Sequence, residues 1–198
     1  MCRRIAYRHD PPRTDDEGPR AERTEPSIAR YVPYTGSEKE CLLASLDRHR
    51  DAVLWKCEGL DDDALRRQVL PSGNSILGLV KHLATWEYIW FSRTFSRPTE
   101  LLPLDGDDES ADVRVEPGES TADVIAFFGR ARAATDQLIA VLDLDQVGKS
   151  IFGDDVSLRW VLIHMLEDTI RHVGHIDIMR EMIDGAVGAH RRPELRLG

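Results

Sequence analysis

The sequence predicts an all-α protein, a four-helix bundle preceded by a flexible N-terminal tail. Three observations predict it. Apolar residues recur at helical spacing in four long segments, a serine stands where each segment begins, and no stretch alternates apolar and polar residues long enough to argue a sheet. Four amphipathic helices with at least one long crossover make a bundle. The expected division is a tail over residues 1–30 and a bundle domain over residues 31–190.

The tail carries Pro11, Pro12 and Pro26, seven arginines and few large apolar residues. Such a segment buries too little surface to offset the entropy of ordering it. Interleaved acids (Asp10, Asp15, Asp16, Glu17, Glu22, Glu25) largely cancel its positive charge.

The first helix begins at Ser37 as N-cap, carries Leu42, Leu43, Leu46, Val53 and Leu54 toward one side, and runs to near Glu58 with Gly59 as its stop. Asp61-Asp62-Asp63-Ala64-Leu65 reads as a capped short turn, and Pro71-Ser72-Gly73-Asn74 as a loop. A second helix starts around Ser75. Its residues Ile76, Leu77, Leu79, Val80, Leu83, Trp86, Ile89, Trp90 and Phe91 make it apolar over most of its circumference, so it should be largely buried. Residues 97–119 hold Pro98, Pro103, Pro117 and several aspartates, a long connection of the kind that often edges a binding site. Ser120 or Thr121 caps a third helix to about Leu142, with Val124, Ile125, Phe127, Phe128, Leu138, Ile139 and Leu142 as its stripe. Ser157 opens a fourth helix that continues to about Asp184 and stops at Gly185.

Charge and composition narrow the function. With 35 acidic against 26 basic side chains and a net charge of -9, the chain would be repelled by phosphate backbones, so no nucleic-acid partner is expected. The three cysteines, Cys2, Cys41 and Cys57, match no zinc-finger or Cys-x-x-Cys spacing, which fits a reducing compartment. No apolar run resembles a signal peptide or a membrane span, so a cytoplasmic protein is expected.

The chemistry concentrates on the fourth helix. At about 100° per residue, four residues drift by only about 40°, so His164, Asp168 and His172 climb one face and His175 falls within the same arc. Asp168 and His172 have the i, i+4 separation that lets two ligands converge on one ion. His82 lies in the most apolar helix, among Val80, Leu83 and Trp86. Two histidines and one carboxylate leave positions open on a metal for water or substrate. From the residues alone the alternatives stay open: an Asp–His hydrogen bond on the last helix, and a core histidine on the second.

The stretch Leu77-Gly78-Leu79-Val80-Lys81-His82-Leu83-Ala84, with Trp86-Glu87, Trp90-Phe91 and the later Arg171-His172-Val173-Gly174-His175-Ile176-Asp177, resembles the DinB/YfiT-like superfamily. It is most similar to an actinobacterial branch, long catalogued as a domain of unknown function, that includes mycothiol-dependent S-transferases. The likeness covers roughly residues 38–188. The resemblance implies a four-helix bundle with one metal ligand on the second helix and two, four residues apart, on the last. By position these are His82, Asp168 and His172. Many relatives have a histidine at the place of Asp168, whereas the mycothiol-transferase-like branch has an acidic residue. His175 stands where many relatives carry glutamine and is not counted as a ligand. DNA binding is not implied.

An ion held in this way lowers the pKa of a thiol. The expected activity is transfer of a low-molecular-weight, mycothiol-like thiol to a small electrophile, with zinc as the first choice of ion and iron, nickel or manganese also suited. His164 and His175 are candidate acid–base groups, Glu87 a candidate for orienting a ligand or for a plain surface salt bridge, and Trp86 and Trp90 candidate pocket walls or simple core. Two alternatives stand beside this: a bundle that binds a metal or small ligand without turnover, and a metal-dependent hydrolase or isomerase that uses no thiol. The resemblance is also compatible with a homodimer.

Overall fold

A computed structural model describes residues 32–188; the N-terminal tail expected over residues 1–30 lies outside them. The elements are α1 (Glu38–Cys57), a short α2 (Asp62–Arg66), α3 (Ile76–Glu87), α4 (Thr121–Val141) and α5 (Leu158–Asp184), with α3 running directly into a π-helical turn at Tyr88–Arg93. α1 packs along α5 and α3 along α4, and α3 also meets α5, which closes the four-helix bundle the sequence predicts.

Capping chemistry sets the boundaries. Ser37 and Ser120 each form reciprocal capping boxes with the residue three positions on, and Ser75 and Ser157 accept from Gly78 and Trp160. Gly185 ends α5 in the left-handed conformation at φ 77°, where any side chain would be strained. Asp61 caps α2 by accepting from the Ala64 amide, so the expected turn is one short helix.

The sequence reading missed a small antiparallel hairpin, β1 (Val147–Lys149) paired with β2 (Asp155–Ser157). Three-residue strands are too short to show an alternation. The hairpin is tied to the end of the π turn, because the Lys149 amide donates to the Thr94 carbonyl at 2.9 Å. Gly148 permits this approach; a Cβ there would lie 2.4 Å from the same oxygen.

The core has two sectors. One gathers Leu77, Val80, Leu83, Phe128, Val173 and Ile176, the other Leu46, Phe91, Leu158, Leu162 and Met165, and Trp86 packs against both. Between α1, α3 and α4 the core also holds ionic groups. Arg50 is fully buried and bonds Glu87, Asp47 and Asp136, while Arg132 bonds Asp47 and Asp51. Glu87 is 2% exposed, so it forms a buried ion pair and neither orients a ligand nor makes a surface salt bridge. The reason is angular: five residues past His82 it lies about 140° around the helix, facing α1.

The long connection over residues 97–119 folds down on α3. Lys81 Nζ donates to the Arg114 carbonyl at 2.9 Å and to Glu119 at 2.8 Å. At Gly78 a Cβ would lie 2.2 Å from the Val113 carbonyl oxygen, so only glycine admits the connection this close to the helix. Among the described residues, no helix is long and apolar enough to cross a membrane.

Candidate metal centre

α3 presents His82 and α5 presents Asp168 and His172 to one another. Their candidate ligand atoms all lie within 4.8 Å of one another, and each residue is partly buried. The His82 and His172 ring centroids are 4.7 Å apart at 70°, and His172 Nε2 is 3.4 Å from Asp168 Oδ1. The helical climb that sets Asp168 below His172 on α5 thus meets the imidazole of the apolar helix across the α3–α5 contact.

Asp112, in the long connection, orients His82. Its Oδ2 is 2.7 Å from His82 Nδ1 and accepts from Trp86 Nε1 at 2.9 Å. A carboxylate can only accept, so Nδ1 carries the hydrogen, and in the neutral ring Nε2 is the nitrogen left with a lone pair. A histidine whose second nitrogen is held by a carboxylate is the arrangement that fixes imidazole ligands on metals. Asp112 is 4% exposed, although it comes from a loop.

The electrostatics suit a cation. Burial pushes the Asp168 carboxyl up, but the neighbouring His172, His82 and His164 outweigh it and hold the group below its ordinary value. Burial likewise pushes Asp112 up, and its bonds to His82 and Trp86 prevail and lower it. His172 Nδ1 is buried with no hydrogen-bond partner among the described residues. The other ring nitrogen, Nε2, is the one that faces the Asp168 carboxylate, and two imidazoles and a carboxylate gathered this closely make a donor set that fits a divalent ion.

The other residues singled out from the sequence fall around this cluster in different ways. Trp86 is half-buried, with its ring 6.1 Å from that of His82, and its indole N–H is spent on Asp112. His164 lies one turn before Asp168; its ring stacks on Trp160 (4.9 Å, 8°) and meets Trp90 edge-on (4.6 Å). Trp90 is 6% exposed, behind both. His175 is exposed, with its ring 5.7 Å from that of His172, and is not among the three clustered groups. Asp105 pairs with Arg93 at 2.6 Å and caps the turn at Pro103–Asp105, while Asp107, Asp108 and Glu109 are exposed loop residues.

Sequence reasoning missed Asp112, which lies 30 positions from its partner in a segment without periodicity. One signal pointed to it. Gly78, one turn before His82 in an otherwise apolar helix, costs about 1 kcal/mol relative to alanine, and such a glycine marks a place where another segment comes close.

A family model described as Mycothiol-S-transferase matches residues 41–185, most of the chain. The chain belongs to the mycothiol-S-transferase family. The match includes His82, Asp112, Asp168 and His172, so the whole cluster lies within the family's domain. Among curated proteins, none matches the chain.

Proposed function

We propose that this chain is a divalent-metal-dependent transferase that joins a low-molecular-weight thiol of the mycothiol type to a small electrophile. The convergence of His82, Asp168 and His172 within 4.8 Å, inside a domain of the mycothiol-S-transferase family, carries the reading. His82 would donate through Nε2, held in that tautomer by Asp112, and Asp168 and His172 would complete the set from α5. A divalent ion bound there supplies Lewis acidity that lowers the pKa of a thiol at neutral pH.

The chain's own part is to bind and orient. His82, His172 and the single carboxylate of Asp168 would hold a divalent ion without fully neutralising it, a balance that would favour a thiolate at the site. Asp168, held below its ordinary value, stays ionised at working pH and keeps the donor set intact. In the reaction, the sulfur's electron pair forms the new S–C bond and the leaving group departs with the pair of the bond that breaks. The thiol proton passes to solvent. Zinc is the first choice of ion, and the donor set also suits iron, nickel or manganese.

The test is elemental analysis of the purified protein beside the His82→Ala/His172→Ala double variant, followed by assays of thiol-dependent electrophile consumption. About one equivalent of metal in the wild type, absent from the double variant, together with turnover that needs thiol, is the expected result. A wild type that carries no metal and takes up none would overturn the metal reading. Metal-dependent turnover indifferent to thiol would replace transfer by hydrolysis or isomerisation.

A further inference from the structure

Three separate segments bring aromatic rings together one to two turns N-terminal of Asp168 along α5. Trp90 comes from the π turn that continues α3, Trp160 and His164 from the start of α5, and Phe152 from the tip of the β1–β2 hairpin. Around Trp90 the ring centroids of His164, Trp160 and Phe152 lie at 4.6, 5.3 and 6.2 Å. The π turn helps to align them. Its wider winding advances each residue by less than an α-helical step and so takes back part of the drift between Trp86 and Trp90.

The exposure of these rings is what local packing leaves unexplained. Trp160 is 45% exposed and Phe152 69% exposed, although both rest on a buried tryptophan. Phe152 and Trp160 each pair with Trp90, while no ring contact joins them to each other. Phe152 is held there by a built scaffold: β1 is fastened to Thr94, and the tip is closed by the Ser150 amide donating to the Asp154 carbonyl at 2.9 Å. The adjoining Ile151 and Ile163 are also exposed, so the surroundings are apolar. His164 stands one helical turn before Asp168 on α5, so the patch adjoins the candidate metal centre along that helix.

We infer that Trp160, Phe152 and His164, backed by Trp90, form a subsite for a flat aromatic or conjugated ring carried by the electrophile; the assignment to the electrophile rests on the transfer reading above. Ring faces and edges are what these side chains offer, and a flat ring gains edge and face contacts with all of them. The ring would be held beside the place where the thiol sulfur attacks, which orients the electrophilic carbon without any further polar contact.

The test separates this subsite from the transfer reading by measuring binding without turnover. Calorimetric titration of the metal-loaded protein with 1,3-dinitrobenzene, a flat ring without a leaving group, is compared between the wild type, Phe152→Ala and Trp160→Ala, with cyclohexanol and methyl glucoside as non-aromatic controls. Phe152 sits on an exposed hairpin tip, so its variant keeps the fold, and an unchanged thermal midpoint verifies that. Expected are binding of the aromatic probe alone and an affinity loss of about two- to ten-fold in each variant. Equal affinity in the wild type and Phe152→Ala overturns the subsite. So does binding of methyl glucoside in place of the ring, or a Phe152→Ala effect confined to self-association on gel filtration. Ring binding that follows the expected pattern, in a protein that transfers no thiol, would keep the subsite and remove the transfer reading.

Discussion

Replacing Asp112 by alanine isolates the contribution of the long connection to the candidate metal centre. The substitution removes one buried oxygen that serves two donors, His82 Nδ1 at 2.7 Å and Trp86 Nε1 at 2.9 Å. Two consequences follow. His82 loses the acceptor that fixes its tautomer, so its Nε2 lone pair is no longer guaranteed to face α5. Loss of such an outer partner weakens metal binding by about 10- to 100-fold, or about 1.4–2.8 kcal/mol. Two donors are also left without an acceptor. An unsatisfied buried donor costs about 1–3 kcal/mol, but His82 and Trp86 keep some access to water, which puts the metal-free protein about 2 kcal/mol below the wild type. Asp112→Asn keeps an accepting oxygen without its charge and is expected to lose less on both counts.

Competition for Zn2+ against a chromophoric chelator reads the first effect, and urea unfolding of the metal-free protein reads the second. Asp112→Ala that binds zinc as tightly as the wild type would refute the orienting role. The pH dependence has a fixed sign. Asp112 lies below its ordinary value in the folded protein, so the contact contributes fully above the ordinary carboxylate range and is lost as pH falls through the lowered value.

Two further outcomes test the rest of the structure. Arg50→Met leaves Glu87 buried without its partner and is expected to cost about 3–5 kcal/mol in urea unfolding near neutral pH. Burial pushes the Glu87 carboxyl up while Arg50 opposes it, so without Arg50 the group rises further and the deficit should shrink as pH is lowered; a loss under about 1 kcal/mol would contradict the buried network. Cys57 has its thiol pushed by burial up to about 12, so about one in 10⁴ molecules is thiolate at pH 8. Alkylation with iodoacetamide, mapped by peptide mass, should therefore spare Cys57 until the protein is unfolded, and rapid labelling in the native state would count against its burial.

Local periodicity and capping were enough to read the helices. Ser37, Ser120 and Ser157 are caps because a hydroxyl three positions before a free amide satisfies it wherever the chain goes next, and Gly185 stops α5 because its backbone alone adopts the left-handed turn freely. Asp168 and His172 shared a face for the same reason, since their relation is a property of one helix. What no local pattern contained is which groups meet across the fold. The pairing of His82 with Asp112, the burial of Glu87 on Arg50, and the gathering of Trp90, Trp160 and Phe152 join residues from different elements. Those meetings depend on how helices pack and where a long loop lands, decided by the sum of many small apolar contacts and by single close approaches such as Gly78 against Val113. Sequence by itself determined the helices and the face that bears the acid and histidine; tertiary packing alone decided what that face meets.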